Sequence, residues 1–168
     1  MHSVDIVIIA HNIRSIHNIG SIFRTSEGFG VTKIYLTGYS PYPKVIGDTR
    51  LPHIYEKMTA AIHKTALGAE TMISYDHHEE VKNVLKDLKQ QGYVIVGLEQ
   101  DERSTTLRSY QPAQKIALLL GEEVAGLTDE LRNACEVLLE IPMTGQKESF
   151  NVSVATGIAL YALTSATT

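Results

Sequence analysis

The chain has 168 residues, 43% hydrophobic and 20% charged, with a formal net charge of −4 and one cysteine. These values exclude a disordered polymer, a disulfide scaffold and a uniformly basic nucleic-acid coat. No apolar run reaches the roughly 18 residues of a membrane span. A chain of this length is expected to form one domain over residues 1–168. A lone Cys135 fits a reducing, cytoplasmic setting.

The opening "MHSVDIVIIAHN" lacks the basic region and small-residue cleavage site of a signal peptide, so Val4–Ala10 is predicted as a first strand. Asn18 can cap a helix that runs to about Phe29, and Lys33–Thr37 is a second strand. Ser40–Pro52 is the longest loop, with three of the five prolines. A helix over Ile54–Leu67 stops at Gly68, and Thr71–Ser74 is a third strand candidate. His77–Gln91 carries Val81, Val84, Leu85 and Leu88 on one helical stripe, with Gly92 as its stop. Strands follow at Tyr93–Leu98, Ile116–Leu120 and Val137–Ile141, with a short helix at Asp129–Ala134 capped by Thr128. A helix of small residues, Asn151–Thr164, closes the chain and is expected to be buried on nearly every side. This alternation predicts an α/β layered domain with a mostly parallel sheet flanked by helices.

Charge is unevenly spread. Residues 11–64 hold seven basic and three acidic groups, whereas residues 65–168 hold eight basic and fifteen acidic. A basic first third can mark an anionic partner, or only a solvated surface.

Ligands of open parallel sheets bind beyond the strands' carboxyl ends, and three predicted loops lie there. In "HNIGSIFRTSEGFG", residues 17–30, the glycine spacing fails the GxGxxG fingerprint, which leaves Asn18, Gly20 and Arg24 at a helix start suited to an anion. "LLLGEEVAGLT", residues 118–128, ends a buried strand at Gly121, where a ligand could meet bare backbone; Glu122 and Glu123, taken alone, read first as solvated acids. In residues 141–151, Ile141, Met143 and Phe150 offer apolar walls, Gly145 room, Ser149 a hydroxyl and Asn151 a helix cap. Other constellations are poorer. His77 and His78 face apart on the predicted helix, no GxSxG elbow or CxxC occurs, and Cys135 reads as packing. No metal site is expected. Tyr39 and Tyr42 could stack on bases or merely pack the long loop.

"NIGSIFRTSEGFG", "LLLGEEVAGL" and "IPMTGQKESFNVSVATGIALY" resemble, in order, the three motifs of the SpoU (TrmH) class of SPOUT RNA methyltransferases, and "KTALGAE" at 64–70 is similar to a further family segment. The resemblance implies an α/β fold with a deep C-terminal trefoil knot, the final helix threaded through a loop to floor a cofactor pocket. It implies S-adenosylmethionine as cofactor, a homodimer, and methyl transfer to a ribose 2′-hydroxyl of tRNA or rRNA. Carried over by motif, Asn18, Arg24, Glu123, Ser149 and Asn151 fall at catalytic positions. Leu98, Gly121, Ile141, Met143, Ser149 and Phe150 fall at cofactor-binding positions, Phe150 standing where the family more often has Leu. A guanidinium stays protonated, so Arg24 is expected to clamp phosphate and steady the developing alkoxide rather than act as a base. The basic segment then supplies Arg14, Lys44, Arg50 and Lys57 as RNA-backbone contacts. No separate RNA-binding extension precedes the first strand, so a compact tRNA substrate or targeting through the dimer surface is expected. The alternatives are a knotted RNA-binding module without turnover and a generic α/β domain for another nucleotide.

Overall fold

The computed structural model describes residues 4–165. Seven strands form one sheet: β1 (Asp5–His11), β2 (Lys33–Thr37), β3 (Ser74–His78), β4 (Val94–Leu98), β5 (Thr105–Thr106), β6 (Lys115–Leu120) and β7 (Val137–Glu140). Their spatial order is β3-β2-β1-β6-β4-β7-β5, and each pairing between them is parallel. Five helices cover it: α1 (Ile16–Gly28), α2 (Pro52–Ala66), α3 (Val81–Gln90), α4 (Asp129–Ala134) and α5 (Val152–Ser165).

Both faces of a parallel sheet must be covered, which is why β1 and β6 read as unbroken apolar runs. Side-chain alternation splits the core in two. Ile6, Ile8 and Ala10 face α1, α2 and α5 through Ile19, Phe23, Ile62 and Leu160. Val7 and Ile9 face α3 and α4 through Val84, Leu88 and Leu131. The stripe read on α3 is thus its buried face.

Four expectations are corrected. The segment at Thr71 is a 3-10 turn, Ala69–Thr71, and the third strand is Ser74–His78. "SYDHH" is polar because β3 pairs with β2 alone and sits at the sheet edge. His77 and His78 therefore lie on opposite faces of a strand, not on a helix. The cap of α1 is Ser15, whose side chain accepts from the Asn18 N–H; Asn18 lies inside the first turn. Finally, α5 buries one face only, through Thr156, Ala159, Leu160 and Leu163, while Val154 and Tyr161 stand 50% and 66% exposed.

The loop between β2 and α2 is tied by Arg50. Its guanidinium forms two bonds to the Asp48 carboxylate, at 2.9 and 2.6 Å, donates to the carbonyls of Tyr42 and Pro43, and stacks on the Tyr42 ring at 3.6 Å. The other Tyr42 face stacks on His77, 3.8 Å between centroids. The loop is thereby clamped onto the sheet edge.

Candidate active site

The carboxyl ends of β4, β6 and β7 open into a cleft closed on its remaining side by the first turns of α5. Leu98, Leu120, Leu139, Ile141, Phe150, Val152 and Ala155 form apolar walls. Glu99, Glu122, Glu123 and Glu140 also line it, and no lysine, arginine or histidine does. Such a lining favours a flat apolar group that carries positive charge and disfavours a nucleotide phosphate.

The loop after β6 is folded on itself. Gly126 donates to the Glu122 carbonyl at 2.9 Å, and a Cβ on Gly121 would lie 2.7 Å from the Gly126 carbonyl carbon and 2.8 Å from Leu127. Gly121 is thus required by the loop's own closure, not only by a ligand's approach. Glu99, which the sequence did not single out, secures this loop: its carboxylate accepts from the N–H of Leu127 at 2.6 Å and of Gln100 at 3.0 Å. An acid directly after a strand end was the available signal.

Glu123 is no solvated acid. One oxygen accepts from the Arg14 N–H at 3.1 Å; the other accepts from the Ser15 N–H at 3.0 Å and the Asn18 side-chain amide at 3.2 Å. Burial pushes its pKa up, but the N–H groups of Ser15 and Arg14 and the Asn18 amide outweigh it, leaving the carboxyl below its ordinary value. The Asn18 side-chain oxygen accepts in turn from the Asn151 amide at 3.1 Å. The Asn151 oxygen accepts from the Ser153 N–H at 2.9 Å and hydroxyl at 2.6 Å, capping α5 as expected. A single run of hydrogen bonds therefore joins all three motif loops. A carboxylate at one end and N–H donors at the other fix both amide orientations.

The other expected positions divide. Leu98, Gly121, Ile141, Ser149 and Phe150 line the cleft; Met143 does not. Arg24 also lies outside it. It borders a second cavity between α1 and α2, with Ser21, Thr25, Phe29, Lys64 and Thr65. No hydrogen bond or ion pair engages Arg24 among the described residues. Of the predicted backbone-contact cations, Arg14, Lys44 and Lys57 are exposed. Arg50 is committed to Asp48 and Tyr42, its side chain 18% exposed. Gly20 also serves packing: a Cβ there would come within 2.5 Å of the Ile62 carbonyl on α2. Burial pushes the Cys135 thiol up to about 11, which keeps it protonated and inert near neutral pH.

A family model described as the SpoU rRNA Methylase family matches residues 5–161. A 23S rRNA (guanosine-2′-O-)-methyltransferase RlmB of Nitrosomonas europaea is 31% identical over 156 residues, which are 93% of this chain and 54% of that protein. The chain thus spans about half the length of the curated relatives it matches. A solved A. aeolicus TrmH/SpoU tRNA modifying enzyme is similar with a TM-score of 0.79 at 25% identity, covering 96% of this chain and 75% of that one. AviRb, a SpoU methyltransferase from Streptomyces viridochromogenes solved with AdoMet, shares the fold at a TM-score of 0.77 and 22% identity, covering 98% of this chain and 58% of that one.

Proposed function

The chain belongs to the SpoU rRNA methylase family, and from that premise we propose that it transfers a methyl group from S-adenosylmethionine to a ribose 2′-hydroxyl of tRNA or rRNA. The observation that carries this reading is the hydrogen-bond run Glu123–Asn18–Asn151 beside an apolar cleft lined by carboxylates and free of basic groups. When bound, the donor supplies a methyl on a positively charged sulfur, already a strong electrophile. Leu98, Ile141 and Phe150 suit its adenine ring, and Glu99, Glu122 and Glu140 suit its positive charge. The protein's task is alignment. Ser149 and the rigid Asn18–Asn151 pair stand at the cleft edge, where a ribose hydroxyl can be oriented. Arg24 holds the flanking phosphate and steadies the developing alkoxide; its guanidinium does not take the hydroxyl proton, which leaves to solvent as the oxygen–methyl bond forms and the methyl–sulfur bond breaks.

In one copy Arg24 borders a different cavity from the donor cleft. That separation favours a homodimer, in which a second copy brings Arg24 to the first copy's cleft. It also favours the runner-up, a donor-binding RNA module without turnover. The exposed Tyr161 and Leu67, with the half-buried Phe29, lie beside Arg24 and suit a twofold contact. We further propose that the terminal segment is threaded as a deep trefoil knot, supported by α5 returning from the β7 side to pack on α1, and that the protein works in the cytoplasm. Arg14, Lys44 and Lys57 would contact RNA phosphates, with Arg50 shaping the loop that presents Lys44.

Titration calorimetry with S-adenosylmethionine, beside tritiated-methyl incorporation into total tRNA and rRNA, tests the reading. Arg24→Ala should keep donor binding and lose methylation. A wild-type protein that binds no donor would refute the methyltransferase reading, and full turnover by Arg24→Ala would refute that residue's role.

A further inference from the structure

Tyr39 and Tyr42 occupy one loop, yet their rings have different fates. Both faces of Tyr42 are covered, by Arg50 and by His77. Tyr39 is 51% exposed, and no ring or cation covers it face-on among the described residues. Its hydroxyl donates to Glu122, a carboxylate that lines the donor cleft. The Arg14 guanidinium lies beside the same phenol.

The backbone under this ring is unusually constrained. The Tyr39 N–H donates to the Asn12 side-chain oxygen at 3.1 Å. Asn12 itself takes a left-handed conformation, φ 53°, and so does Gly38, φ 63°. A Cβ on Gly38 would fall 1.9 Å from that Asn12 oxygen, so a side chain there would be strained and would displace the group that holds the Tyr39 N–H. The Gly38 N–H donates to the His78 carbonyl, and the Gly38 carbonyl meets the His77 ring, both at 3.0 Å. On the other side, the Ser40 hydroxyl donates to the Ala10 carbonyl at 2.8 Å and accepts from the Ile13 N–H at 2.9 Å. Left-handed non-glycine backbone held by this many partners concentrates where a side chain must be presented in one pose. Core packing is not the reason, because the presented ring is half in solvent.

We propose that Tyr39 is the stacking platform for the base of the nucleotide to be methylated, with Arg14 taking an adjacent phosphate. The assignment rests on the RNA-methyltransferase reading above. Single-stranded nucleotides are held by stacking on aromatic faces, and a protein that modifies a ribose must immobilise the base attached to it. The anchor to Glu122 fixes the ring at the rim of the cleft that would hold the donor, so a base stacked there leaves its ribose beside Ser149 and Asn151. Tyr39 is thus a positioning residue for RNA and makes no contact with the donor.

The test uses the full chain with total cellular tRNA and rRNA. Short-wavelength ultraviolet crosslinking, which excites every base, followed by peptide mass spectrometry should place crosslinks on the peptide that carries Tyr39. In steady-state methylation, Tyr39→Leu should raise the KM for RNA about tenfold and leave the Kd for S-adenosylmethionine unchanged; Tyr39→Phe, which keeps the face and loses the hydroxyl, should stay within about threefold of wild type. Crosslinks confined to other peptides, an unchanged KM in Tyr39→Leu, or a Tyr39→Phe variant as poor as Tyr39→Leu would each overturn the platform. Crosslinking at Tyr39 by a protein that binds no donor and methylates nothing would keep Tyr39 as an RNA-stacking residue and sink the methyltransferase reading. The two can therefore fail separately.

Discussion

Glu123 illustrates how far a residue's surroundings can depart from its type. A lone acid in a loop is ordinarily solvated, but here the carboxylate satisfies the N–H groups of Arg14 and Ser15 at the entrance to α1, where the helix dipole favours negative charge. Hydrogen bonds to a charged group contribute about 1.5–3 kcal/mol when buried, and partial exposure reduces that. Glu123→Gln should therefore destabilise the fold by about 1–2 kcal/mol at pH 7 in urea unfolding. The pH dependence has a definite sign. The folded carboxyl titrates below its ordinary value of 4.5, so its contribution is complete above about 4.5 and is lost as pH falls through the lowered value. The gap between wild type and Glu123→Gln should narrow as pH drops below 4.5; a gap that stays constant to pH 3 would show that charge is not its source. At this scale the sequence made Asn18, Glu123 and Asn151 legible as motif positions, but not as one hydrogen-bonded run, because partners 133 residues apart leave no local pattern. The pairing of Arg50 was hidden for the opposite reason. Its charge was visible, and so was Asp48 two residues before it, yet a sum over a segment hides which cations are already paired.

At the scale of elements, periodicity served well wherever burial was on one side or on both, as in α3 and in strands β1 and β6. It failed at the sheet edge, since β3 has one neighbour and tolerates polar residues that resemble a loop or a helix start. It also misjudged α5. Small apolar residues all round suggested complete burial, whereas the helix lies on α1 and turns Val154 and Tyr161 outward. Gly20 links sequence to packing most directly. The helices α1 and α2 cross there so closely that a Cβ would meet the Thr65 hydroxyl at 1.9 Å and the Ile62 carbonyl at 2.5 Å. The hydroxyl could rotate away, although it would abandon its bond to the His17 carbonyl; the backbone carbonyl could not. Overpacking of this kind costs about 1–3 kcal/mol, more than the few tenths to 1 kcal/mol that Gly→Ala ordinarily gains within a helix. Gly20→Ala should lower the urea midpoint with little change in far-ultraviolet circular dichroism. A stabilised variant would mean that the α1–α2 crossing is looser than described.

Across the whole molecule, two surfaces remain unaccounted for by one copy. The first is the cleft beyond β4, β6 and β7, whose lining has orienting groups and negative charge but no cation, Arg14 standing only at its rim. The second is the apolar set Tyr161, Phe29 and Leu67, which flanks a cavity holding Arg24 and Lys64 and no acid. Each lacks what the other offers, and an isologous twofold contact would juxtapose them twice over. Exposed apolar groups such as Tyr161 and Leu67, beside cations with no partner among the described residues, suit a contact surface. Tyr161→Glu would place a charge in the middle of the proposed contact without touching the cleft lining or the Glu123–Asn18–Asn151 run. Light scattering after size exclusion should find wild type as a dimer and Tyr161→Glu as a monomer. That monomer should still bind S-adenosylmethionine, because the cleft belongs to one copy, yet methylate RNA at least about tenfold more slowly, since its Arg24 no longer reaches a partner's cleft. A wild-type monomer with full turnover would remove the twofold arrangement, and the reaction would then require Arg24 to act from its own chain.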